Sequence, residues 1–225
     1  MDPFIVRGII SNIIFAVIFI ACLFLPAGTW HYWQGWVFLI VFQISAQAFG
    51  AYFLVNNLKA LERRVKIGPI AEGEFAQKII STLILIGFLV AFLFPAFDHR
   101  FGWSPVPVVV TVIGNMLVVL SFVIFFFVLK SNSHAASTIR VEEGQPVISS
   151  GPYALVRHPM YTGALILLAG IPLALGSWWG VLLIVPFFPV LVWRLLDEEQ
   201  FLHRNLPGYT EYTLKVRYRL VPHVW

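Results

Sequence analysis

The feature that most constrains this chain is a series of apolar runs, each about as long as a lipid bilayer is thick. A helix needs about 20 apolar residues to cross the hydrocarbon core. Four such runs occupy the first part of the chain, at about Phe4–Leu25, Trp33–Val55, Ile79–Phe97 and Pro105–Leu129. Because a backbone inside a bilayer must satisfy its own hydrogen bonds, we predict that each run is an α-helix.

The last apolar stretch, from Met160 to Leu196, is too long for one helix of this kind. It contains Pro172 and is interrupted at Leu175-Gly176-Ser177, a combination that favours a tight turn. We therefore predict a helical hairpin here. The whole chain is then an all-α, multi-pass membrane bundle of about six spans, followed by a cytoplasmic amphipathic tail from Asp197 to Trp225.

Basic residues lie almost entirely on one side of the predicted membrane. With six spans, fourteen of the fifteen Lys and Arg residues share the side of both termini, and Arg100 falls on the other. Cytoplasmic loops carry an excess of Lys and Arg, so we predict cytoplasmic termini and a cytoplasmic tail. Because these residues flank apolar runs instead of forming a stripe on a soluble domain, the net charge of +4 does not indicate a nucleic-acid partner.

Ionisable residues are rare in the first four spans and dense afterwards. We therefore divide the chain into a four-span membrane region, residues 1–129, and a functional module, residues 130–225. Cys22 is the one cysteine and lies in the first apolar run, so no disulfide can form within a chain.

The segment from Gly151 to Gly163 carries the first polar motif. Pro159 suits the first turn of a helix, which places Arg157, His158 and Tyr161 around a helix N-terminus. Free N–H groups and the helix dipole attract anions there. The alternative is an interfacial anchor in which Arg157 reaches lipid phosphates.

Three consecutive carboxylates, Asp197, Glu198 and Glu199, follow the hairpin. We expect them at the C-terminus of the last span, where the helix dipole disfavours negative charge, so a compensating partner is required. The hairpin brings them to the depth of Arg157. One interpretation is an ion-pair clamp of a glutamate with Arg157 or Arg194. The other is a pocket for a zwitterionic ligand that carries hydroxyl groups and a cationic centre.

The tail contains a third motif, from Pro207 to Pro222. Tyr209, Tyr212 and Val216 share one helical face, and Glu211 is placed to pair with Lys215. An interfacial helix with its basic side toward lipid headgroups explains this pattern. Arg219 comes later and is able to turn back toward the pocket.

Together these motifs resemble the isoprenylcysteine carboxyl methyltransferase family and the related membrane phospholipid N-methyltransferases, over about residues 130–225. The shared pattern is Gly-x-Tyr-x-x-x-Arg-His-Pro-x-Tyr-x-Gly, a helical hairpin, Glu-Glu, and Tyr-x-x-Tyr before a basic end. The resemblance implies an S-adenosylmethionine-dependent methyltransferase with Arg219 beside the methyl acceptor. It also implies a cofactor site lined by Tyr153, Arg157, His158, Tyr161, Gly163, Glu198 and Glu199.

The resemblance further implies a cytoplasmic active site and a lipophilic acceptor that partitions into the membrane, such as an isoprenylcysteine-like carboxylate. The expected partners are this acceptor and membrane lipids, with no metal and no nucleic acid. A phospholipid amine and a small thiol are alternative acceptors. The phospholipid enzymes carry a Gly-x-Gly element that this sequence lacks, which weakens that alternative.

Three other classes compete with a methyltransferase. A membrane reductase of the sterol-reductase type, using NADPH, shares a similar C-terminal helical arrangement. A di-iron enzyme is disfavoured, because six histidines are present but no His-x-x-His box. A transporter or scaffold is disfavoured too, since the ionisable groups collect at one interface and not at the midplane.

Overall fold

The computed structural model describes residues 3–65, 68, 70, 72, 74–135, 139, 141–142 and 144–225. Within these ranges, the side chains of residues 3–11, 62, 64 and 65 are not described. The predicted cytoplasmic placement of Arg7, Arg64, Lys66 and Arg140 therefore lies outside the described part of the chain.

The described residues form α-helices and one short 3₁₀ helix, Gly151–Ala154, with no strand among them. The α-helices are α1 (Pro3–Ala27), α2 (Trp33–Asn56), α3 (Leu58–Val65), α4 (Phe75–Phe101), α5 (Val108–Ser131), α6 (Pro159–Ala174), α7 (Trp178–Leu182), α8 (Ile184–Asn205) and α9 (Tyr209–Lys215). The prediction of an all-helical chain is confirmed for this part of the protein.

Among the described residues, four helical stretches are long and apolar enough to cross a membrane, which supports the predicted integral membrane protein. They are Trp33–Asn56, Phe75–Phe101, Val108–Ser131 and Trp178–Asn205. The first predicted span corresponds to α1, in which the part with described side chains is the shorter apolar stretch Asn12–Ala27. The fifth corresponds to the shorter apolar helix Pro159–Ala174. With 16 residues, α6 is about 24 Å long, less than a bilayer core of about 30 Å, so the count of six remains a prediction.

Helices α5 and α6 pack closely because glycines lie where they meet. A Cβ atom on Gly114 would lie 2.1 Å from the backbone nitrogen of Ala174, and one on Gly163 would lie 2.6 Å from a ring carbon of Phe125. Small residues of this kind let membrane helices approach backbone to backbone. One buried apolar cluster joins the two predicted regions, since it contains Phe38 and Phe92 together with Leu167 and Ile171 of α6.

The hairpin turn falls at the predicted residues. Helix α6 ends at Ala174, Gly176 adopts a φ of +74°, and Ser177 caps α7 by accepting a hydrogen bond of 2.9 Å from the Gly180 amide. The turn is tied to the rest of the bundle by the Tyr32 hydroxyl, which donates to the Leu175 carbonyl at 2.6 Å.

One prediction about α8 is wrong. Asp197, Glu198 and Glu199 do not lie at a helix C-terminus, because α8 continues to Asn205. The helix extends further because Leu202 packs against the buried cluster that contains Leu206, Tyr209 and Tyr212. The three carboxylates are therefore more than a turn away from the unfavourable end of the helix dipole.

Candidate functional site

The tail returns to the start of α6 and is held there by hydrogen bonds. The amides of Arg157 and His158 donate to the carbonyls of Tyr218 and Arg219, both at 2.9 Å. The Thr162 hydroxyl donates to the Leu220 carbonyl at 2.7 Å. These two amides are therefore already hydrogen-bonded to the tail. Attraction of an anion to the start of α6 depends on the side chains instead.

Glu199 is the centre of the cluster that results. This residue is 5% exposed, and its Oε1 lies 3.0 Å from Nε of Arg157 and 3.1 Å from Nε2 of His158. Its Oε2 accepts a hydrogen bond of 2.9 Å from Nε of Arg219. Two guanidinium groups thus face one carboxylate, so the site offers cationic donors to a ligand group that is negatively charged.

The neighbouring Glu198 has a different partner. Its Oε2 accepts a hydrogen bond of 2.5 Å from the Tyr161 hydroxyl, across the gap between α6 and α8. The two consecutive glutamates therefore have different neighbours, because Glu199 contacts Arg157, His158 and Arg219, whereas Glu198 accepts from Tyr161 and has the Arg194 charge nearby.

Arg194 takes a partner that the sequence did not indicate. It was expected as one candidate for pairing with Glu198 or Glu199, but its Nη2 lies 2.8 Å from Oε1 of Glu72 in the segment before α4. Its Nη1 donates to Gln77 at 2.7 Å and to Ser81 at 3.2 Å. Of the two expected arginines, Arg157 forms the clamp with Glu199.

Two buried donors beside Glu199 lack a hydrogen-bond acceptor among the described residues, Nε of Arg157 and the hydroxyl of Tyr209. The Arg157 nitrogen is within ion-pair distance of Glu199, but its N–H does not point at the carboxylate. Burial, with the charges of Glu199 and Glu198, raises the pKa of Tyr209 above its usual range, so the phenol keeps its proton. Both donors are therefore able to bind a ligand.

The structure brings most of the predicted site residues together. Arg157, His158, Glu199 and Arg219 meet directly, and Tyr161 with Glu198 lies alongside. Gly163 does not join this cluster, because it faces Phe125 and Ile124 of α5.

Tyr153 lies in the 3₁₀ helix, where its carbonyl accepts a hydrogen bond of 2.8 Å from Tyr212 of α9. From the sequence, Tyr209 was predicted only to lie on a packing face with Tyr212 and Val216, and not to be a site residue. The one sequence signal for it is its place in the Tyr-x-x-Tyr pattern.

The fold and site define an all-helical membrane protein with a buried charged cluster formed by α6, α8 and the tail. Residues 109–207 match the phospholipid methyltransferase family. This match supports a membrane methyltransferase, while the isoprenylcysteine carboxyl methyltransferase family in particular remains a prediction. The matched range contains Arg157, His158, Glu198 and Glu199 and ends before Arg219.

A second similarity is to the Delta(14)-sterol reductase of Mus musculus. The two are 34% identical over an alignment of 95 residues, which covers 39% of this chain and 22% of the reductase. The chain therefore spans about a fifth of the length of that relative.

Proposed function

We propose that this protein is an integral membrane methyltransferase that uses S-adenosylmethionine to methylate a lipophilic carboxylate, such as an isoprenylcysteine-like group, on the cytoplasmic side. The observation that carries the proposal is the buried Glu199, with Arg157, His158 and Arg219 all within 3.1 Å of it. This cluster is built largely from the range that matches a methyltransferase family.

The residues present fit the proposed cofactor. S-adenosylmethionine carries a carboxylate, an ammonium group, ribose hydroxyls and a sulfonium. The unsatisfied donors of Arg157 and Tyr209 suit the carboxylate, and the carboxylates of Glu198 and Glu199 suit the hydroxyls or the ammonium group.

Arg219 is our candidate for the residue that contacts the acceptor. Among the described residues only its Nε is hydrogen-bonded, to Glu199, and its side chain is 30% exposed. The terminal nitrogens are therefore able to bind an acceptor carboxylate in bidentate fashion.

When bound, S-adenosylmethionine supplies a methyl group on a sulfonium that leaves as a neutral thioether, so a carboxylate oxygen needs no base to form the new O–CH₃ bond. The protein then has to align the acceptor carboxylate with the methyl group and exclude water from the site.

The cofactor is tested by thermal unfolding of the detergent-solubilised protein. At a free concentration of 100 times its dissociation constant, S-adenosylmethionine is expected to stabilise the fold by about 2.7 kcal/mol. A radiolabelled-methyl assay with isoprenylcysteine-like acids, lipid amines and small thiols then identifies the acceptor. Stabilisation by NADPH alone, with no methyl transfer to any acceptor, contradicts the proposal.

The roles of Glu199 and Arg219 are tested by one substitution each. Glu199→Gln removes a buried charged acceptor and is expected to weaken cofactor binding by about 10- to 150-fold. Arg219→Ala is expected to lower turnover more than cofactor affinity. The two side chains are bonded to each other, so a modest loss of affinity in Arg219→Ala is also expected.

Arg204→Ala is the control for these variants, because Arg204 is exposed in the last turn of α8. It should leave cofactor affinity and turnover as they are. Equal losses of cofactor affinity in Glu199→Gln and Arg219→Ala would assign Arg219 to the cofactor and leave the acceptor without a partner.

A nicotinamide-dependent reductase is the second candidate, and the similarity to a sterol reductase is the observation in its favour. The guanidinium groups of Arg157 and Arg219 in the same cluster would suit the phosphates of NADPH. A melting-temperature increase with NADPH, combined with NADPH oxidation in the presence of a sterol, would favour this candidate.

A further inference from the structure

The tail and residues 154 and 155 form an open cleft of about 240 Å³, which we name the basic cleft. It is lined by Ala154, Leu155, Lys215, Val216, Arg217, Tyr218, Pro222 and His223. None of these residues belongs to the cluster around Glu199, so the basic cleft and the candidate active site share no side chain.

The basic cleft carries positive charge that the described part of the chain does not neutralise. Lys215 and Arg217 are exposed, and neither forms an ion pair with a described carboxylate. Glu211 was predicted to pair with Lys215 but does not contact it within ion-pair distance in the structure. An anion that entered the basic cleft would therefore meet two free cations.

The wall of the basic cleft is held in a defined conformation by the turn that ends the chain. The amides of Leu220 and Val221 donate to the carbonyl of Trp225 at 2.9 and 3.1 Å. His223 has a φ of +64°, in the left-handed region that only glycine visits freely, and its Nδ1 lies 3.1 Å from the Tyr218 hydroxyl. These contacts hold Tyr218 and His223 against each other in the lining of the basic cleft.

Exposed apolar side chains lie around these polar groups. Leu155 in the lining is 65% exposed, and Leu214, Val221 and Val224, which adjoin lining residues in the chain, are 73%, 46% and 78% exposed. Basic groups beside exposed apolar groups are typical of a surface that lies in the membrane interface, where the apolar side chains enter the acyl boundary.

We propose that the basic cleft binds the phosphate of an anionic phospholipid from the leaflet on the side of the tail. Lys215 and Arg217 pair with the phosphate, and the exposed apolar side chains contact the acyl region. The lipid is favoured over a free phosphate because the apolar side chains would have no partner in the second case. This lipid is a ligand of the tail and is distinct from the methyl acceptor.

The test measures binding of a fluorescent phosphatidylglycerol to the full chain in detergent, with and without Lys215→Gln/Arg217→Gln. Because each basic residue near an anionic surface contributes about fivefold, the double variant is expected to bind about 25- to 30-fold more weakly. The control is Lys130→Gln/Arg204→Gln, which removes two exposed basic residues outside the basic cleft and should retain wild-type binding. Equal weakening in both double variants would overturn the proposal.

Two further arms identify the ligand. Glycerol phosphate and phosphatidylcholine should each compete poorly, the first because it lacks acyl chains and the second because its headgroup has no net charge. Leu155→Ser should weaken binding of phosphatidylglycerol but not of glycerol phosphate. Glycerol phosphate that binds as tightly as the lipid would overturn the assignment to a membrane lipid.

A third measurement distinguishes the lipid site in the basic cleft from the proposed cofactor site. Lys215→Gln/Arg217→Gln should keep the wild-type affinity for S-adenosylmethionine and the wild-type melting temperature without ligand. A parallel loss of cofactor affinity would make the basic cleft part of the cofactor site and would contradict the lipid proposal. A protein that binds the lipid but no cofactor would contradict the proposed function alone.

Discussion

Arg194 of α8 and Glu72, in the segment before α4, form a buried ion pair with 2.8 Å between Nη2 and Oε1. Their side chains are 8% and 3% exposed. Arg194 also lies beside Tyr161, and Gln77 links it to Asp197 by donating a hydrogen bond to that carboxylate. The first part of the chain is therefore bonded to the helix that carries the candidate site.

The first prediction concerns this pair. Glu72→Ala leaves the Arg194 charge buried without its carboxylate and is expected to destabilise the fold by about 3–5 kcal/mol. The loss is measured by denaturant unfolding in detergent. Replacing both residues by leucine should be less damaging than Glu72→Ala alone, because no unpaired charge remains. Glu211→Ala, at an exposed carboxylate, should change stability by less than about 0.5 kcal/mol.

The second prediction concerns the approach of α5 to α6. Gly114→Ala would force a methyl group against the backbone of Ala174 and is expected to cost about 1–3 kcal/mol. Gly50→Ala in α2 is the matched control, because a Cβ there meets nothing within 4 Å. It should stabilise the helix by roughly 0.5–1 kcal/mol. Thermal unfolding of both variants should therefore give shifts of opposite sign.

The third prediction is a pH dependence at Glu142, which accepts two hydrogen bonds from Arg63 at 2.9 and 2.6 Å and lies 3.2 Å from Nδ1 of His134. Partial burial raises the pKa of Glu142, but the bonds and charge of Arg63, and then those of His134, outweigh this and lower it overall. The stabilisation is therefore present above the unfolded pKa of about 4.3 and is lost as pH falls through the lower folded value.

The measurement compares the wild type with Glu142→Gln. The variant should melt at a lower temperature at pH 7, and the difference should shrink below about pH 4. The loss in free energy of unfolding should stay under about 1 kcal/mol, since the Arg63 and Glu142 side chains are 18% and 35% exposed. Glu211→Gln is the control at an exposed carboxylate. A difference that grows as pH falls would contradict the assigned direction of the pKa shift.

The fourth prediction concerns orientation in the membrane. Arg100 and Thr210 are both exposed and lie at the end of α4 and in α9. In a chain with Cys22 replaced by serine, a membrane-impermeant maleimide applied outside intact cells should label Arg100→Cys and not Thr210→Cys. Labelling of Thr210→Cys from outside would contradict cytoplasmic termini and a cytoplasmic site.

Several features were predictable because they depend on short stretches of sequence. The starts and ends of α2, α4 and α5 agree with the apolar runs to within about four residues, since the length of an apolar run defines a membrane helix directly. The turn at Gly176 and the start of α6 at Pro159 follow from the backbone preferences of glycine and proline.

The end of α8 was not predictable in the same way. Asp197, Glu198 and Glu199 indicated where a membrane span stops, but the helix continues through Leu202 because the Tyr209 and Tyr212 cluster covers that side chain. This cluster depends on the tail folding back onto α8, so the residues around Leu202 alone do not predict it.

The sequence by itself determined the helical membrane class, the position of the hairpin and the grouping of Arg157, His158, Glu198 and Glu199 at one end of it. The tertiary structure alone decided which charges meet: Glu199 with Arg219 of the tail, and Arg194 with Glu72 before α4. The physical reason is that helix formation and membrane insertion depend on neighbouring residues, whereas a buried ion pair depends on which helices pack together. That choice is made by close contacts such as the one between Gly114 and Ala174.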